Sequence, residues 1–238
     1  MPTKRTTALL LLATTAISAC GSNSGGKTAD IPAGASTSTS PSTIPAAAPS
    51  PTATAKGCKP VSKPAPKPNG GAKKPKGSLN ASKTWTLTFA TNCGAFTVKL
   101  DLKSAPHASA SMVSLARSGF FKNTIFHRIA PGFVIQGGDP TGQGTGGPGY
   151  STRDKPPKGV RYTRGVVAMA KTQTEPPGTA GSQFYVVTGA DAGLPPDYAV
   201  IGKVSNGLAT VERIGRLGDS SEKPTQTVEL YNVTAKSF

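Results

Sequence analysis

The chain has 238 residues, a formal net charge of +16 and three cysteines. The apolar run near its N-terminus, Ala8 to Ile17, is too short to span a bilayer as a mature anchor. Nucleic acid is a poor match for the positive charge, because the basic residues lack interleaved aromatics.

Residues 1–19 have the layout of an export signal: Lys4 and Arg5, then the apolar run, then small residues. The run ends Ile17-Ser18-Ala19-Cys20, the form of a bacterial lipobox. On that reading Cys20 is the lipidated first residue of an extracytoplasmic protein anchored to the bacterial cell membrane. The competing reading is an ordinary signal cleaved near Ala19, with Cys20 incidental. Residues 20–83 are expected to be a disordered tether. They are mostly Ser, Thr, Ala, Pro, Gly and Lys, and their large aliphatics are Ile31, Ile44, Val61 and Leu79, too little apolar area to offset the entropy of ordering. Nine lysines there oppose Asp30, which suits a solvated tail touching anionic lipid or wall polymer. Pro60 to Pro68 reads as an extended polyproline-type spacer. Cys58 and Cys93 remain after Cys20; an exported pair permits a disulfide, and the alternative is two free thiols.

From Thr84 to Phe238 the pattern is that of one folded domain. Trp85, Leu87 and Phe89 alternate with Thr, Asn92-Cys93-Gly94 turns, and Phe96, Val98 and Leu100 alternate again, which predicts a hairpin. Pro106 opens a helix through Arg117, with Gly119 closing it. Short strands are predicted over Ile125–Ile129, Phe133–Gly137, Val166–Ala170, Phe184–Thr188 and Ala199–Val204. Asn206 is the expected cap of a second helix through Ile214, and a strand over Thr227–Thr234 ends the domain. Many short strands, Gly-rich turns and two helices imply a mainly β domain, one closed antiparallel barrel capped at its ends.

Two blocks carry the chemistry. Phe126-His127-Arg128-Ile129, Pro131-Gly132-Phe133 and Gln136-Gly137-Gly138-Asp139 set an Arg, a Phe and a Gln close together on a strand pattern. Gly181-Ser182-Gln183-Phe184-Tyr185 repeats an amide beside aromatics. No paired carboxylate, activated Ser or Cys, or metal-ligand cluster stands beside them, so the site suits binding and polarising a peptide rather than cutting it. A peptide bond rotates over a barrier of roughly 18–20 kcal/mol because the nitrogen lone pair is delocalised. A cationic donor at that nitrogen localises the pair, and an apolar floor strengthens the effect.

These blocks resemble the cyclophilin family of peptidyl-prolyl cis-trans isomerases, over essentially all of residues 84–238. The resemblance implies an eight-stranded barrel with two helices and non-covalent catalysis by Arg128, helped by Phe133 and Gln136, without cofactor or metal. It implies that Phe133, Tyr185 and Leu194 wall a proline pocket and that Gln136 bonds the substrate carbonyl while holding the Arg. Gln183 would line the adjoining cleft, and Ala170, Lys171 and Thr172 would form the edge strand that pairs with substrate backbone. Tyr198 stands where a pocket His is common. The implied partners are proline-containing stretches of exported proteins, bound by a monomer whose membrane contact is the Cys20 anchor.

Several positions depart from the family pattern. Lys171 replaces a common Asn, and Gly193 replaces a Trp that in many members bonds cyclosporin, so weaker drug binding is expected. Arg153, Lys155, Lys158, Arg161 and Arg164 put positive charge near the cleft, either favouring acidic substrates or forming a solvated loop. His127 has apolar neighbours and the isomerisation removes no proton, so it reads as structural. Gly142 to Gly147 fits G-x-G-x-x-G, but Pro148 and Gly149 leave no helix N-terminus to hold a pyrophosphate. Two rival readings remain: a proline-peptide binding chaperone or scaffold with little turnover, and a wall-binding protein led by its basic tail.

Overall fold

The computed structural model describes residues 57–238; the signal, Cys20 and the tether as far as residue 56 lie outside the described residues. The expected hairpin is β1 (Trp85–Thr91) and β2 (Gly94–Leu100), with Phe89 opposite Phe96. Burial along β1 alternates as its sequence does, because successive side chains of a strand point to opposite faces. Then come β3 (Thr124–Ala130), β4 (Val134–Gly137), β5 (Thr152–Arg153), β6 (Val166–Met169), β7 (Thr179–Ala180), β8 (Phe184–Val187), β9 (Val200–Asn206) and β10 (Glu229–Ser237). Eight of them close an antiparallel barrel in the order β1-β10-β3-β4-β8-β6-β9-β2. β5 and β7 pair apart from the barrel, and at two residues each they have no alternation to read in the sequence.

The barrel interior is filled by Leu87, Phe89, Phe96, Val98, Phe126, Ile129, Ile135, Met169, Phe184 and Ile201, all at most 1% exposed. Phe89 stacks on Phe96 at 4.8 Å and tilts against Phe184 at 4.9 Å, the offset and edge contacts that aromatic rings prefer. Helix α1 (Pro106–Arg117) packs on β10, and α2 (Leu208–Gly215) packs on β2, β3 and β4. The N-terminus of α1 is satisfied from a distant loop. The Asp154 carboxylate accepts from the backbone N–H of Ala108 at 2.6 Å and of His107 at 3.3 Å.

Asn206, the expected cap of α2, is instead the last residue of β9, paired with Thr97. The residue before the helix is Gly207, with φ 79°, where any Cβ would collide with the Ala95 carbonyl oxygen. Glycine there serves a close backbone approach, which rules out a side-chain cap.

The tether expectation fails over residues 57–83. Residues 57–83 form neither helix nor strand, yet they lie strapped along the barrel. Cys58 is disulfide-bonded to Cys93 in the β1–β2 turn, and Asn92 Nδ2 donates to the Lys59 carbonyl at 2.7 Å. Val61, Pro64, Lys67 and Gly70 are half-buried while most residues between them are exposed. That spacing is the three-residue turn of an extended proline-rich helix, so one edge of the strap faces the barrel. Lys67 reaches into the turn after α1, where its Nζ donates to the carbonyls of Phe120 at 2.5 Å and Lys122 at 3.2 Å. The ordering entropy is thus offset by a crosslink and backbone bonds to the barrel rather than by a core of the strap's own.

Candidate active site

Antiparallel register decides which residues share the outer face. Arg128 lies opposite Gln136, Gln136 opposite Tyr185, Tyr185 opposite Ala168 and Ala168 opposite Val200. The neighbouring row, Ile129, Ile135, Val186 and Val167, points into the interior. A slip of one residue would exchange the two rows and bury the guanidinium.

On that outer row the polar side chains form a continuous chain of hydrogen bonds. Arg128 Nε donates to Glu222 Oε2 at 2.6 Å and Nη1 to Gln136 Oε1 at 3.2 Å. Gln136 Nε2 donates to Gln183 Oε1 at 3.0 Å, and Gln183 Nε2 donates to the carbonyls of Gly144 and Gly146, both at 2.9 Å. Arg128 Cζ sits 5.8 Å from the centre of the Phe133 ring. Its side chain is 35% exposed, open enough to meet a ligand and held on both sides.

The apolar part is a second cluster outside the barrel. Tyr185, Ala168, Val187, Val134 and Tyr162 are buried there, with Phe133, Leu194, Tyr198 and Ala170 partly buried against them. Tyr185 and Tyr198 meet edge to face at 5.7 Å. Tyr162 Oη donates to the Tyr198 carbonyl at 2.8 Å and accepts from the Tyr198 N–H at 3.0 Å, pinning that wall. Burial pushes the Tyr162 phenol up to about 12 despite the Tyr198 contact. The Tyr185 phenol is raised further, by burial first and then by Tyr162 and Tyr198, and its buried Oη has no hydrogen-bond partner. The Tyr162 and Tyr185 rings therefore act as neutral walls at any working pH.

Beside this wall lies a cavity of about 390 Å³ lined by Gln136, Gln183, Lys171, Glu175 and the Gly144–Gly149 loop. Asp139 builds that loop. Its fully buried carboxylate accepts from the N–H of Thr141 at 2.7 Å and Gln143 at 3.0 Å and from the Gly144 N–H. Gly146 is required because a Cβ there would strike Asp139 Oδ1.

The edge expected over Ala170, Lys171 and Thr172 takes a different form. β6 ends at Met169, and the Ala170 N–H donates to the Gln183 carbonyl at 2.9 Å. The Thr172 N–H donates to the Glu175 carboxylate at 2.6 Å, which folds the segment into a turn. Lys171 Nζ lies 5.4 Å from the centre of the Tyr198 ring. The basic loop is neutralised only in part: Arg161 bonds Asp191 at 3.0 Å and Arg164 pairs with Glu212 at 3.6 Å, while Arg153 donates to the uncharged Pro177 carbonyl. Arg153, Lys155 and Lys158 have no acidic partner among the described residues, and all five side chains are exposed, which favours the solvated-loop reading. Gly193 has φ 61°, a left-handed conformation that would strain a larger side chain there. The His127 ring nitrogens are buried without partners, and burial lowers its pKa, which leaves it neutral and structural. Among the described residues no group of three or more His, Cys, Asp and Glu could hold a metal ion.

Three participants carry no signal that the sequence reading used. Glu222 reaches Arg128 from a loop 94 positions away, with φ 61° and its carbonyl bonded to the Ile129 N–H. Tyr162 is equally silent in isolation, since it acts through Tyr198, 36 positions away, whereas Asp139 builds its loop through local bonds to Thr141, Gln143 and Gly144 that its residue type alone does not announce.

A closed barrel bearing an outward Arg–Gln–Gln chain beside aromatic walls fits a peptide-binding site of the isomerase type. Residues 86–235 match the family described as cyclophilin type peptidyl-prolyl cis-trans isomerase/CLD, and the chain belongs to that family. Peptidyl-prolyl cis-trans isomerase-like 1 of Aspergillus fumigatus is 36% identical over 149 residues, covering 60% of this chain and 91% of that protein. A cyclophilin type isomerase of Cryptosporidium parvum is 32% identical with a TM-score of 0.60, covering 65% of this chain and 99% of its own. The structure of that cyclophilin in the presence of the dipeptide Ala-Pro is similar at 33% identity and a TM-score of 0.59.

Proposed function

We propose that the domain of residues 84–238 catalyses cis–trans interconversion of Xaa-Pro bonds, with Arg128 as the catalytic residue. The observation that carries this is the double restraint on Arg128. Glu222 holds Nε and Gln136 holds Nη1, while Nη2 has no protein partner among the described residues and remains available to a prolyl nitrogen. Donation to that nitrogen localises its lone pair and lowers the rotation barrier. Phe133, Leu194, Tyr185 and Tyr198 receive the proline ring, excluding water so that the cation acts at low dielectric. Gln136 has its amide turned toward Gln183 and a carbonyl toward Arg128, and it steers the substrate carbonyl. Ala170, Lys171 and Thr172, with Gln183, border the substrate backbone where the cavity opens. The Cryptosporidium relative with Ala-Pro supports a proline-peptide ligand.

The substrates in this proposal are exported proteins, met by a monomer anchored through lipidated Cys20 after removal of residues 1–19. Its supports are the signal-like sequence ending in Ile17-Ser18-Ala19-Cys20 and the Cys58–Cys93 disulfide, which fits an oxidising compartment. The catalytic reading is tested by a protease-coupled assay on a short Xaa-Pro peptide. Acceleration by the purified chain is expected; tight binding without acceleration would instead establish a binding module, a reading favoured by the Thr172–Glu175 turn. Cys20→Ala should move the protein from the membrane to the soluble fraction, and unchanged partitioning would refute lipidation.

A further inference from the structure

The strap of residues 57–83 lies outside the segment that matches the family, residues 86–235, yet it touches the active-site loop directly. The Gly147 N–H donates to Asn69 Oδ1 at 2.9 Å, and the Gly70 N–H returns a bond to the Gly147 carbonyl at 2.9 Å. The Ala72 N–H donates to the Pro148 carbonyl at 3.0 Å. Gly149 packs so closely on Gly70 that a Cβ there would lie 3.1 Å from the Gly70 Cα. These contacts fall on the same loop whose Gly144 and Gly146 carbonyls hold Gln183.

We propose that the strap is a positioning element of the active site, in which Asn69, Gly70 and Ala72 fix the Gly144–Gly149 loop and thereby seat Gln183, Gln136 and Arg128. This rests on the assignment of catalysis to Arg128. The loop contains Gly142, Gly144, Gly146, Gly147 and Gly149, so its backbone has the largest freedom to lose and needs outside restraint. Asp139 restrains its first half and the strap its second. From there an unbroken series of bonds between 2.9 and 3.2 Å runs from Asn69 through Gly147 and the loop to Gln183, Gln136 and Arg128. The strap is itself anchored, by the Cys58–Cys93 disulfide at one end, by Lys67 at the turn after α1, and by the Trp85 indole N–H donating to the Asn80 carbonyl at 3.1 Å. Ala72 is half-buried and packs against the rim of the core, so its variant also perturbs packing, whereas releasing the exposed Asn69 leaves the barrel core untouched. That release frees the cavity wall and lets Gln183 drop out of register.

The test uses the full chain, with Asn69→Ala, the double variant Asn69→Ala/Ala72→Pro, the rescue variant Asn69→Asp, and Arg128→Ala as reference. Three quantities are read well below the melting temperature: amide exchange in residues 142–149, and kcat and KM for an Xaa-Pro peptide. A freed loop should exchange faster in both strap variants, with kcat/KM falling about fivefold in the double variant through misplacement of the polar chain. KM should carry most of that fall, because the loop walls the substrate cavity, and Asn69→Asp, which keeps the acceptor oxygen, should stay near wild type. Unchanged kcat/KM beside a lowered melting temperature would show a merely structural strap and overturn the proposal, as would unchanged exchange in the loop. If Arg128→Ala is inactive while the strap variants turn over normally, this proposal fails alone. If Arg128→Ala turns over normally, the assignment of catalysis fails, and this proposal with it.

Discussion

Asp139→Asn is a stringent probe of how the site is built. The wild-type carboxylate is fully buried and accepts from the N–H groups of Thr141, Gln143 and Gly144 and from the Thr141 hydroxyl at 2.9 Å. A bond to a charged acceptor contributes about 1.5–3 kcal/mol. Gln143 is exposed, so water replaces part of what is lost there. Counting one to two bonds gives a loss of about 3 kcal/mol, or roughly 6–12 °C in Tm for a domain of this size. Asn has nearly the shape of Asp, but its NH2 faces N–H donors and cannot accept. Burial opposes ionisation of Asp139, yet bonds from Thr141, Gly146 and Gly144 outweigh it and hold the pKa below 3.8. The group therefore stabilises the fold above its unfolded pKa and ceases to do so as pH falls through the folded value. Urea unfolding at neutral pH should show the full deficit in the variant, and the gap to wild type should close as pH falls below 3.8. Peptide turnover should fall as well, because Gln183 depends on the Gly144 and Gly146 carbonyls. A loss under about 1 kcal/mol, or a gap that stays constant with pH, would refute this account of the loop.

Three further outcomes follow from the same geometry. Tyr185→Phe removes a buried hydroxyl with no partner and keeps the pocket ring, so stability should rise by about 1 kcal/mol with turnover maintained; a less stable variant would contradict the burial argument. Cys58→Ser opens a crosslink spanning 35 positions and should cost roughly 3–4 kcal/mol in urea unfolding, with the difference abolished by reductant; equal stability of oxidised and reduced protein would argue against it. Burial is the main cause that lowers the folded His127 pKa below 6.5, with Asp139 opposing and Arg128 assisting. The unfolded chain then takes up the proton first, so stability falls as pH drops below 6.5, and His127→Leu should flatten that slope.

What could be read from sequence and what could not divide along the range of the interactions. Period-two alternation revealed β1 and β2, and Arg128, Phe133 and Gln136 were close enough in the chain for register to bring them together. Asp154 capping α1, Glu222 gripping Arg128 and Tyr162 bracing Tyr198 each join residues at least 36 positions apart, and no local pattern encodes them. Asn206 misled because a cap-forming residue before an apolar face is a local signal, while the Gly207–Ala95 approach that overrides it is tertiary. The strap misled for a different reason. Its scarcity of large aliphatics is real, but order there rests on a disulfide and on the spacing of Val61, Pro64, Lys67 and Gly70, a period of three that neither helix nor strand templates detect.

In the proposed mechanism a restrained guanidinium lowers the barrier to prolyl rotation. Its most direct test is NMR exchange spectroscopy on an Xaa-Pro peptide at saturating concentration, comparing wild type with Arg128→Ala. The catalysed exchange rate should fall at least about tenfold, the equivalent of about 1.4 kcal/mol, while the aromatic wall still binds the peptide. An undiminished exchange rate in the variant would contradict the claim.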